Sequence, residues 1–252
     1  MCKEGVTHMS QTKTNSSIFQ RVEKKYLLTK FQFQQLNQAL SPYMKMDDYG
    51  LHTICNIYYD TKHYDLIRTS IDKPVYKEKL RLRSYGIPND DDKVYLEIKK
   101  KWNGVVYKRR IPMTLLEANL YLNNGIKPTC ENQILREIDY FISFYKPEPK
   151  VYLAYDRMAL YCLNNPDIRI TFDKNIRSRN TLLDLSKGDF GTNLLAEDCR
   201  LMEIKVADAY PLWLAEILSE LEIYPISFSK YGNVYKEQLQ EERMENLCLQ
   251  VL

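Results

Sequence analysis

The sequence predicts an α+β fold in which eight antiparallel strands form a closed β-barrel with helices packed around the outside. Eight segments rich in Val, Ile, Tyr, Phe or Leu are bounded by turn residues, as strands are. Most of these segments alternate charged and apolar side chains, and alternation sends the two kinds to opposite faces of a strand. Stretches with helical start and stop signals interrupt the strands.

Composition allows one globular domain. The chain has 252 residues, 44% hydrophobic and 27% charged, with a net charge of +3. Because this charge is small, any preference for anions must come from where the charges lie. We expect a disordered leader over 1–17, the main domain over 18–236 and a helical C-terminal tail over 237–252. No apolar run is long enough to span a bilayer, and no hydrophobic signal core is present, so the sequence predicts a cytoplasmic protein.

The predicted strands follow one another with short connections. Asn103 and Gly104 favour a tight hairpin, because both residues accept the positive φ angles of a type I′ turn. The predicted strands are 18–28, 52–59, 75–85, 93–101, 104–112, 150–162, 167–176 and 200–207.

Capping residues predict the helices. Thr29 and Thr114 are suitable N-caps, Gly125 is a suitable C-terminal residue, and Pro147 and Pro211 mark a helix end and a helix start. We expect a long loop over 180–199. The predicted helices are 30–40, 115–124, 131–145, 211–221 and the tail from 236.

Basic side chains recur at two-residue spacing on several strands. In the strand over 75–85, Lys79, Arg81 and Arg83 share one face and oppose Leu80 and Leu82. The other polar faces carry Arg21, Glu23 and Lys25; Glu97, Lys99 and Lys101; Lys108 and Arg110; Arg169, Thr171 and Asp173; Glu203 and Lys205.

These polar faces allow two interpretations. An antiparallel sheet with one solvated face is common. However, like charges on neighbouring strands destabilise a sheet, and a bound anion would relieve their repulsion. Closing the sheet into a barrel would place the charges in a channel. Arg binds phosphate oxygens through two hydrogen bonds and Lys adds mobile charge, so the channel would suit a linear polyanion.

Three carboxylates are interleaved with these cations: Glu23, Glu97 and Glu203. Each could simply pair with the Lys two residues away. Carboxylates beside bound phosphates also form sites for Mn²⁺ or Mg²⁺. We favour a metal site that includes at least Glu203.

Eight motifs follow one another along the chain: V-E-K-K-Y (22–26), K-L-R-L-R-S-Y-G (79–86), L-E-I-K-K-K (96–101), Y-K-R-R (107–110), A-Y-D-R-M-A-L-Y (154–161), I-R-I-T-F-D (168–173), L-M-E-I-K (201–205) and S-F-S-K-Y-G (227–232). In this order they resemble the VTC domain, the polyphosphate polymerase domain of the vacuolar transporter chaperone complex. This family belongs to the triphosphate tunnel metalloenzyme (CYTH-like) superfamily.

The resemblance implies an eight-stranded tunnel that binds a nucleoside triphosphate and, with Mn²⁺, transfers its terminal phosphoryl group to a polyphosphate chain. ATP and inorganic polyphosphate are the implied partners. By motif, Glu203 would hold the metal, Ser229 would contact phosphate, and Tyr155 would line the nucleotide end. The cations that the motifs assign to phosphate are Lys25, Arg81, Arg83, Lys99, Lys108, Arg157, Arg169 and Lys230. The strand alternation adds Lys79, Arg110 and Lys205.

Two positions depart from the wider pattern. Arg21 stands where the superfamily has the first Glu of E-x-E-x-K, which weakens a metal-dependent triphosphatase interpretation and agrees with the VTC branch. Ser227 stands where catalytic eukaryotic members carry Lys, which removes one charge.

Three other functions remain open at this point. A hydrolase of the same fold would cut triphosphate or short polyphosphate, and a binding module would hold such ligands without turnover. RNA binding would use Tyr58, Tyr59, Tyr85 and Tyr95 to stack bases. Because the predicted charges face inward and no RNP-like motif is present, nucleic acid is the disfavoured ligand.

Overall fold

The computed structural model describes residues 22–129 and 132–250. The predicted leader over 1–17 and Arg21 lie outside these residues. The elements are β1 (Val22–Leu28), α1 (Lys30–Leu40), β2 (Met44–Met46), β3 (His52–Asp60), α2 (Asp65–Ile71), β4 (Tyr76–Tyr85), β5 (Lys93–Trp102), β6 (Val105–Thr114), α3 (Leu115–Asn124), α4 (Gln133–Tyr145), β7 (Glu148–Cys162), β8 (Arg169–Arg179), β9 (Thr192–Asn193), β10 (Arg200–Val206), α5 (Leu212–Glu220) and α6 (Lys230–Gln250).

Every predicted strand and helix is present where the structure describes the chain, with ends shifted by a few residues. Residues 18–21, 131 and 251–252 of these predictions lie outside the described residues. The capping residues act as expected. Thr29 and Thr114 each form a capping box with the residue three positions later, and Gly125 ends α3 with a φ of 72°. Asn103 and Gly104 both have positive φ angles in the hairpin between β5 and β6.

Four elements were not predicted: β2, α2, β9 and a 3₁₀ turn over Leu185–Lys187, the last two within the predicted loop over 180–199. Strands β2 and β9 have three and two residues, too few for an alternating pattern. Helix α2 lacks a side-chain cap at Tyr64, which adopts a left-handed conformation. The backbone amides of Leu66 and Ile67 in its first turn instead donate to Asp60, five residues before the helix begins. The predicted tail helix is part of α6, which begins earlier, at Lys230.

The strands form one antiparallel sheet. Eight of them pair in the order β1-β10-β8-β7-β3-β4-β5-β6, while β2 pairs with β7 and β9 with β8. Within the described residues, no hydrogen bonds join the end strands β1 and β6. The closed barrel that the sequence predicts is therefore not confirmed. The free side of β1 instead carries one antiparallel bridge, from Lys25 to Ile226.

Apolar side chains on the outer face of the sheet pack beneath the helices. Leu80, Leu82 and Ile98 are buried in a cluster that includes Ile138 and Phe141 of α4. A second cluster joins β1, β8 and β10 to α1 and α5. These side chains alternate with the charged ones, so burial of the outer face fixes the register that directs the charges to the inner face.

Helix α6 occupies part of the inner face. Its side chains Tyr231, Val234 and Tyr235 pack against Ile54 of β3 and Leu153 of β7. The sheet therefore curves around the first turns of α6, which leave a polar hollow beside them.

Candidate functional site

A cavity of about 460 Å³ lies on the inner face of the sheet. Both end strands of the sheet contribute to its wall, so the sheet curls around it although β1 and β6 do not pair. Nine Lys or Arg residues and three Glu residues line it. The lining residues are Glu23, Lys25, Tyr58, Lys79, Arg81, Arg83, Glu97, Lys99, Val106, Lys108, Tyr155, Arg157, Glu203, Lys205, Ser229, Lys230 and Tyr231.

One wall is organised around the buried carboxylate of Glu97 on β5. Arg81 donates from Nε to Glu97 Oε2 at 2.7 Å, and Lys108 Nζ lies 2.8 Å from Glu97 Oε1. Burial raises the pKa of Glu97, but Arg81, Arg83 and Lys108 outweigh it and lower the pKa to about 2. Glu97 is therefore charged and holds the Arg81 guanidinium in the wall.

Neutral polar groups hold the neighbouring guanidinium. Arg83 donates to Asn56 Oδ1 at 2.9 Å and to the Tyr155 hydroxyl at 3.1 Å. The nearest carboxylate oxygen, Glu97 Oε2, is 3.8 Å from Arg83 Nε. No short ion pair therefore neutralises the Arg83 guanidinium. Such a guanidinium suits a phosphate oxygen.

The opposite wall depends on Asp173 of β8, a fully buried carboxylate. Arg157 binds it through Nε at 2.6 Å and Nη2 at 2.8 Å, and Lys230 Nζ lies 2.6 Å from Oδ2. Burial raises the pKa of Asp173, but Lys230 and Arg157 outweigh it and the pKa is lowered. Asp173 thereby fixes two cations at the cavity wall.

Glu203 of β10 is surrounded by cations. Its carboxylate oxygens lie 3.5 Å from Lys230 Nζ, 3.6 Å from Lys25 Nζ and 3.8 Å from Lys205 Nζ, with Arg157 at 3.9 Å. These cations outweigh the effect of burial and hold the pKa of Glu203 well below its usual range. None of these contacts is a tight hydrogen bond, so the oxygens of Glu203 remain available to another partner.

Several lysines in the cavity have lowered pKa values because of their surroundings. Burial lowers the pKa of Lys79 and of Lys108 to about 8, and it lowers the pKa of Lys99 as well. Lys79 and Lys99 are also direct partners on β4 and β5. The lining of the cavity therefore has an excess of positive charge that a bound anion would relieve.

The phenol of Tyr58 is an unusual member of this group. Arg81 donates to its hydroxyl at 3.1 Å. Burial raises the pKa of Tyr58, but Arg81 and Arg83 outweigh it and lower the pKa to about 8. The Tyr58 ring stacks on Tyr231 of α6, with centroids 4.8 Å apart.

The first turn of α6 forms part of the cavity wall. Ser229 precedes the helix and accepts a hydrogen bond from the Gly232 amide at 3.1 Å. A helix N-terminus carries partial positive charge that favours anions. Gly232 allows this turn to pack closely, because a Cβ there would lie 3.1 Å from Ser229 Oγ.

A second cavity of about 890 Å³ adjoins the first. The two share Glu23, Lys25, Lys79, Lys99, Val106 and Ser229 in their walls. Beyond the shared residues, the second cavity is lined by Lys24, Lys73, Lys77, Lys101 and Lys236. Glu23 is the one carboxylate among the described residues that line it. The basic lining thus continues well beyond the first cavity.

The structure brings together all the predicted site residues except Arg169 and Arg110. Arg169 begins β8 and lies outside the cavity lining. Its side chain is 54% exposed and binds Asp47 at 2.9 Å. Arg110 is exposed, with its guanidinium 4.7 Å from the centroid of the Tyr95 ring. Arg109, which disturbs the alternation of β6, belongs to the outer face and pairs with Glu137 of α4.

Three contributors were missed from the sequence. Asp173 was placed on a polar strand face, but no role was assigned to it. Tyr58 and Tyr231 line the cavity. From the sequence, Tyr58 was named only as a possible base-stacking residue, and Tyr231 was assigned no role within the motif over 227–232. The alternation of β8 contained the signal for Asp173, whereas the stacking of Tyr58 on Tyr231 depends on the packing of α6.

The carboxylates fit a metal only in part. Among the described residues, no group of three His, Cys, Asp or Glu side chains converges as a metal site. Glu97 is engaged by Arg81 and Lys108, on a different wall from Glu203. Glu203 and Glu23 both lie within 4 Å of Lys25 and Lys205 and are the remaining pair. This donor set suits Mn²⁺ or Mg²⁺ that takes its other ligands from phosphate and water.

None of the helices in the described part of the chain is long and apolar enough to cross a membrane.

Comparisons with known proteins identify the family from the sequence and the fold from solved structures. The chain matches the VTC domain over residues 20–238. A comparison with curated proteins finds no match. Among solved structures, a candidate adenylate cyclase from Bacillus halodurans superimposes with a TM-score of 0.51 and 16% identity, over 84% of this chain and 95% of the other.

A candidate adenylyl cyclase from Hippeastrum, described as having a dominant triphosphatase activity, gives a TM-score of 0.49 and 17% identity over 84% of this chain and 93% of that one. The Bacillus halodurans protein shows that the fold is shared, at an identity too low to transfer an activity. The match to the VTC domain extends over most of the chain, including every strand of the sheet and the cavity-lining turn of α6. The chain therefore belongs to the VTC domain family.

Proposed function

We propose that this protein is an ATP-dependent polyphosphate polymerase, which transfers the terminal phosphoryl group of the nucleotide to a polyphosphate chain inside the basic cavity. The observation that carries the proposal is the convergence of nine Lys and Arg side chains from six strands and one helix on a single cavity. Membership of the VTC domain family supports a function on triphosphates more generally.

The proposed chemistry needs positioning and charge more than a side-chain nucleophile. Phosphoryl transfer passes through a loose transition state whose charge is spread over the phosphate oxygens. Arg81, Arg83 and Arg157 are fixed by hydrogen bonds and would bind these oxygens without reorganising. The attacking group would be the terminal phosphate of the acceptor chain.

The second cavity favours polymerase over hydrolase. A triphosphatase needs room for one triphosphate, whereas a polymerase must also hold an acceptor. Lys73, Lys77, Lys101 and Lys236 extend the basic lining beyond the first cavity. A polyphosphate chain extending from the first cavity into the second would meet cations along its whole length.

Glu203 and Glu23 would hold the divalent cation. When bound, Mn²⁺ or Mg²⁺ supplies positive charge to the phosphate oxygens of the substrate. Lys25 and Lys205, which lie next to both carboxylates, would keep the substrate oriented toward this pair.

Product analysis tests the proposal. The protein is incubated with ATP and Mn²⁺, and the products are separated by size. A polymerase forms long polyphosphate and releases one ADP for each phosphate that it adds to the chain. A hydrolase releases orthophosphate alone. A binding module binds ATP but leaves it intact. Release of orthophosphate alone, or binding without turnover, would overturn the proposal.

A further inference from the structure

The inner face of the sheet changes character at one end of the cavity. Tyr85 follows Arg83 by two residues on β4, and Tyr95 precedes Glu97 by two residues on β5. Arg110 follows Lys108 on the same face of β6. His52 begins β3, where it pairs with Arg157 of β7. We call His52, Tyr85, Tyr95 and Arg110, together with Tyr49 in the preceding turn, the aromatic rim.

The rim is a connected set of rings. The centroids of Tyr49 and His52 lie 6.1 Å apart, those of His52 and Tyr85 6.0 Å, and those of Tyr85 and Tyr95 5.8 Å. The guanidinium of Arg110 completes the set, 4.7 Å from the Tyr95 centroid. No carboxylate in the described residues pairs with Arg110, so its charge and the guanidinium face turned away from Tyr95 remain available.

Folding does not account for this arrangement. Tyr49 is 78% exposed and Tyr85 is 51% exposed. None of the rim residues belongs to the three apolar clusters of the protein. Exposed aromatic rings grouped beside a cavity are typical of a binding surface.

We propose that the aromatic rim binds the nucleobase of the nucleoside triphosphate whose phosphates occupy the cavity. This inference rests on the proposed function, because it takes the ligand to be a nucleotide. Neighbouring side chains on one strand face are about 6.6 to 6.8 Å apart, since a strand rises about 3.3 to 3.4 Å per residue. Tyr85 therefore lies one such step from Arg83, a distance that a ribose spans between its base and its first phosphate.

The arrangement also gives the nucleotide a direction. The rim lies beside Arg83 and Arg157, while the lysine-lined second cavity begins at Lys79 and Lys99, on the other side of Arg81. The base therefore stacks outside the cavity, and the phosphates extend inward toward the acceptor. Stacking on rings and on a guanidinium plane is sequence-tolerant, so ATP and GTP bind with similar affinity.

The experiment compares two ligands that share phosphates but differ in the base. Affinities of ATP and inorganic tripolyphosphate are measured by calorimetry for the wild type, Tyr85→Ala and Tyr95→Ala. We expect a loss in ATP affinity of roughly 5- to 150-fold, the range that stacking of one base supplies. Tripolyphosphate affinity stays unchanged. Tyr85→Trp retains ATP binding, which shows that the ring, and not local folding, is responsible.

Tyr140→Ala is the matched control, since Tyr140 is 68% exposed on α4, far from the inner face. It leaves both affinities unchanged. Equal affinities for ATP in Tyr85→Ala, Tyr95→Ala and the wild type would overturn the rim as the base site. A wild type that binds ATP through the rim but forms no polyphosphate contradicts the polymerase alone, so the two failures are distinguishable.

Discussion

The ammonium group of Lys230 lies 2.6 Å from the carboxylate of Asp173, and this contact ties the first residue of the last helix to a central strand of the sheet. Both side chains are buried. The same carboxylate binds Arg157. One acidic residue thus holds two of the cavity's cations, although it does not itself line the cavity.

We expect Asp173→Asn to destabilise the protein. Removing one partner of a buried ion pair costs about 3–5 kcal/mol. Arg157 and Lys230 would stay buried with only their longer contacts to Glu203, at 3.9 Å and 3.5 Å. Chemical unfolding should show this loss in the free energy of unfolding. Asp91→Asn, in an exposed loop, is the control and should be neutral. Tripolyphosphate should restore part of the stability of Asp173→Asn, since it neutralises Arg157 and Lys230. No loss of stability would show that Asp173 is not a structural anion.

Two arginines that look equivalent in sequence should differ in effect. Arg81→Ala removes a fixed charge from the cavity wall and should lower kcat by about 10²–10³, as loss of one preorganised donor does. Arg169→Ala should remain near the wild-type rate, because Arg169 is exposed and pairs with Asp47. Steady-state production of ADP from ATP measures both. Equal losses would mean that Arg169 reaches the substrate.

Lys99→Gln should separate stability from binding. It removes the repulsion between Lys99 and its cross-strand partner Lys79, and we expect a gain of about 0.2–1 kcal/mol in the free energy of unfolding without ligand. The same change should weaken tripolyphosphate binding. Thermal melts with and without ligand test both parts, and Lys93→Gln, exposed at the start of β5, is the control. If Lys99→Gln were less stable than the wild type and bound tripolyphosphate as tightly, the cavity would not carry the proposed excess of positive charge.

Binding should weaken as the pH rises through about 8. The pKa of Lys79 and of Lys108 is lowered to about 8, so each lysine is charged below this pH and neutral above it. Since a bound anion favours the charged form, affinity for tripolyphosphate should fall by up to about tenfold per pH unit for each lysine that titrates. Calorimetry between pH 7 and pH 9.5 measures this slope.

Lys79→Arg provides the comparison for the pH experiment. Arg keeps its charge throughout this range, so the slope should decrease by about one proton. Titration of the ligand itself is common to both proteins and cancels. An unchanged slope would mean that Lys79 does not titrate in this range.

The sequence predicted the lining of the cavity better than its shape. Two-residue alternation correctly assigned Arg81, Arg83 and Glu97 to one face, because strand geometry leaves no other choice. Alternation also assigned Arg169 to that face, and Arg169 is indeed the first residue of β8. Alternation reports the face of a side chain but not its distance from the cavity, and a long side chain at a strand end can turn to another partner, here Asp47.

The long-range contacts could not be predicted. Asp173 and Lys230 belong to different elements, so no local pattern predicts their contact. No local pattern predicts that α6 packs against the inner face either. Nor does a local pattern show that Ile226, just before this helix, bridges the edge of β1 that a closed barrel would pair with β6. Local signals specify elements, while such packing depends on the whole chain.

The pairing of the first strand with the last parts of the chain affects how the protein is made. Strand β1 pairs with β10, and Lys25 donates to the carbonyl of Phe228 across 203 positions. A ribosome therefore releases β1 long before either partner exists, and contacts between such distant segments form slowly. Until then β1 lacks its partners in the fold, and the basic cavity is complete only after the first turn of α6 has been synthesised.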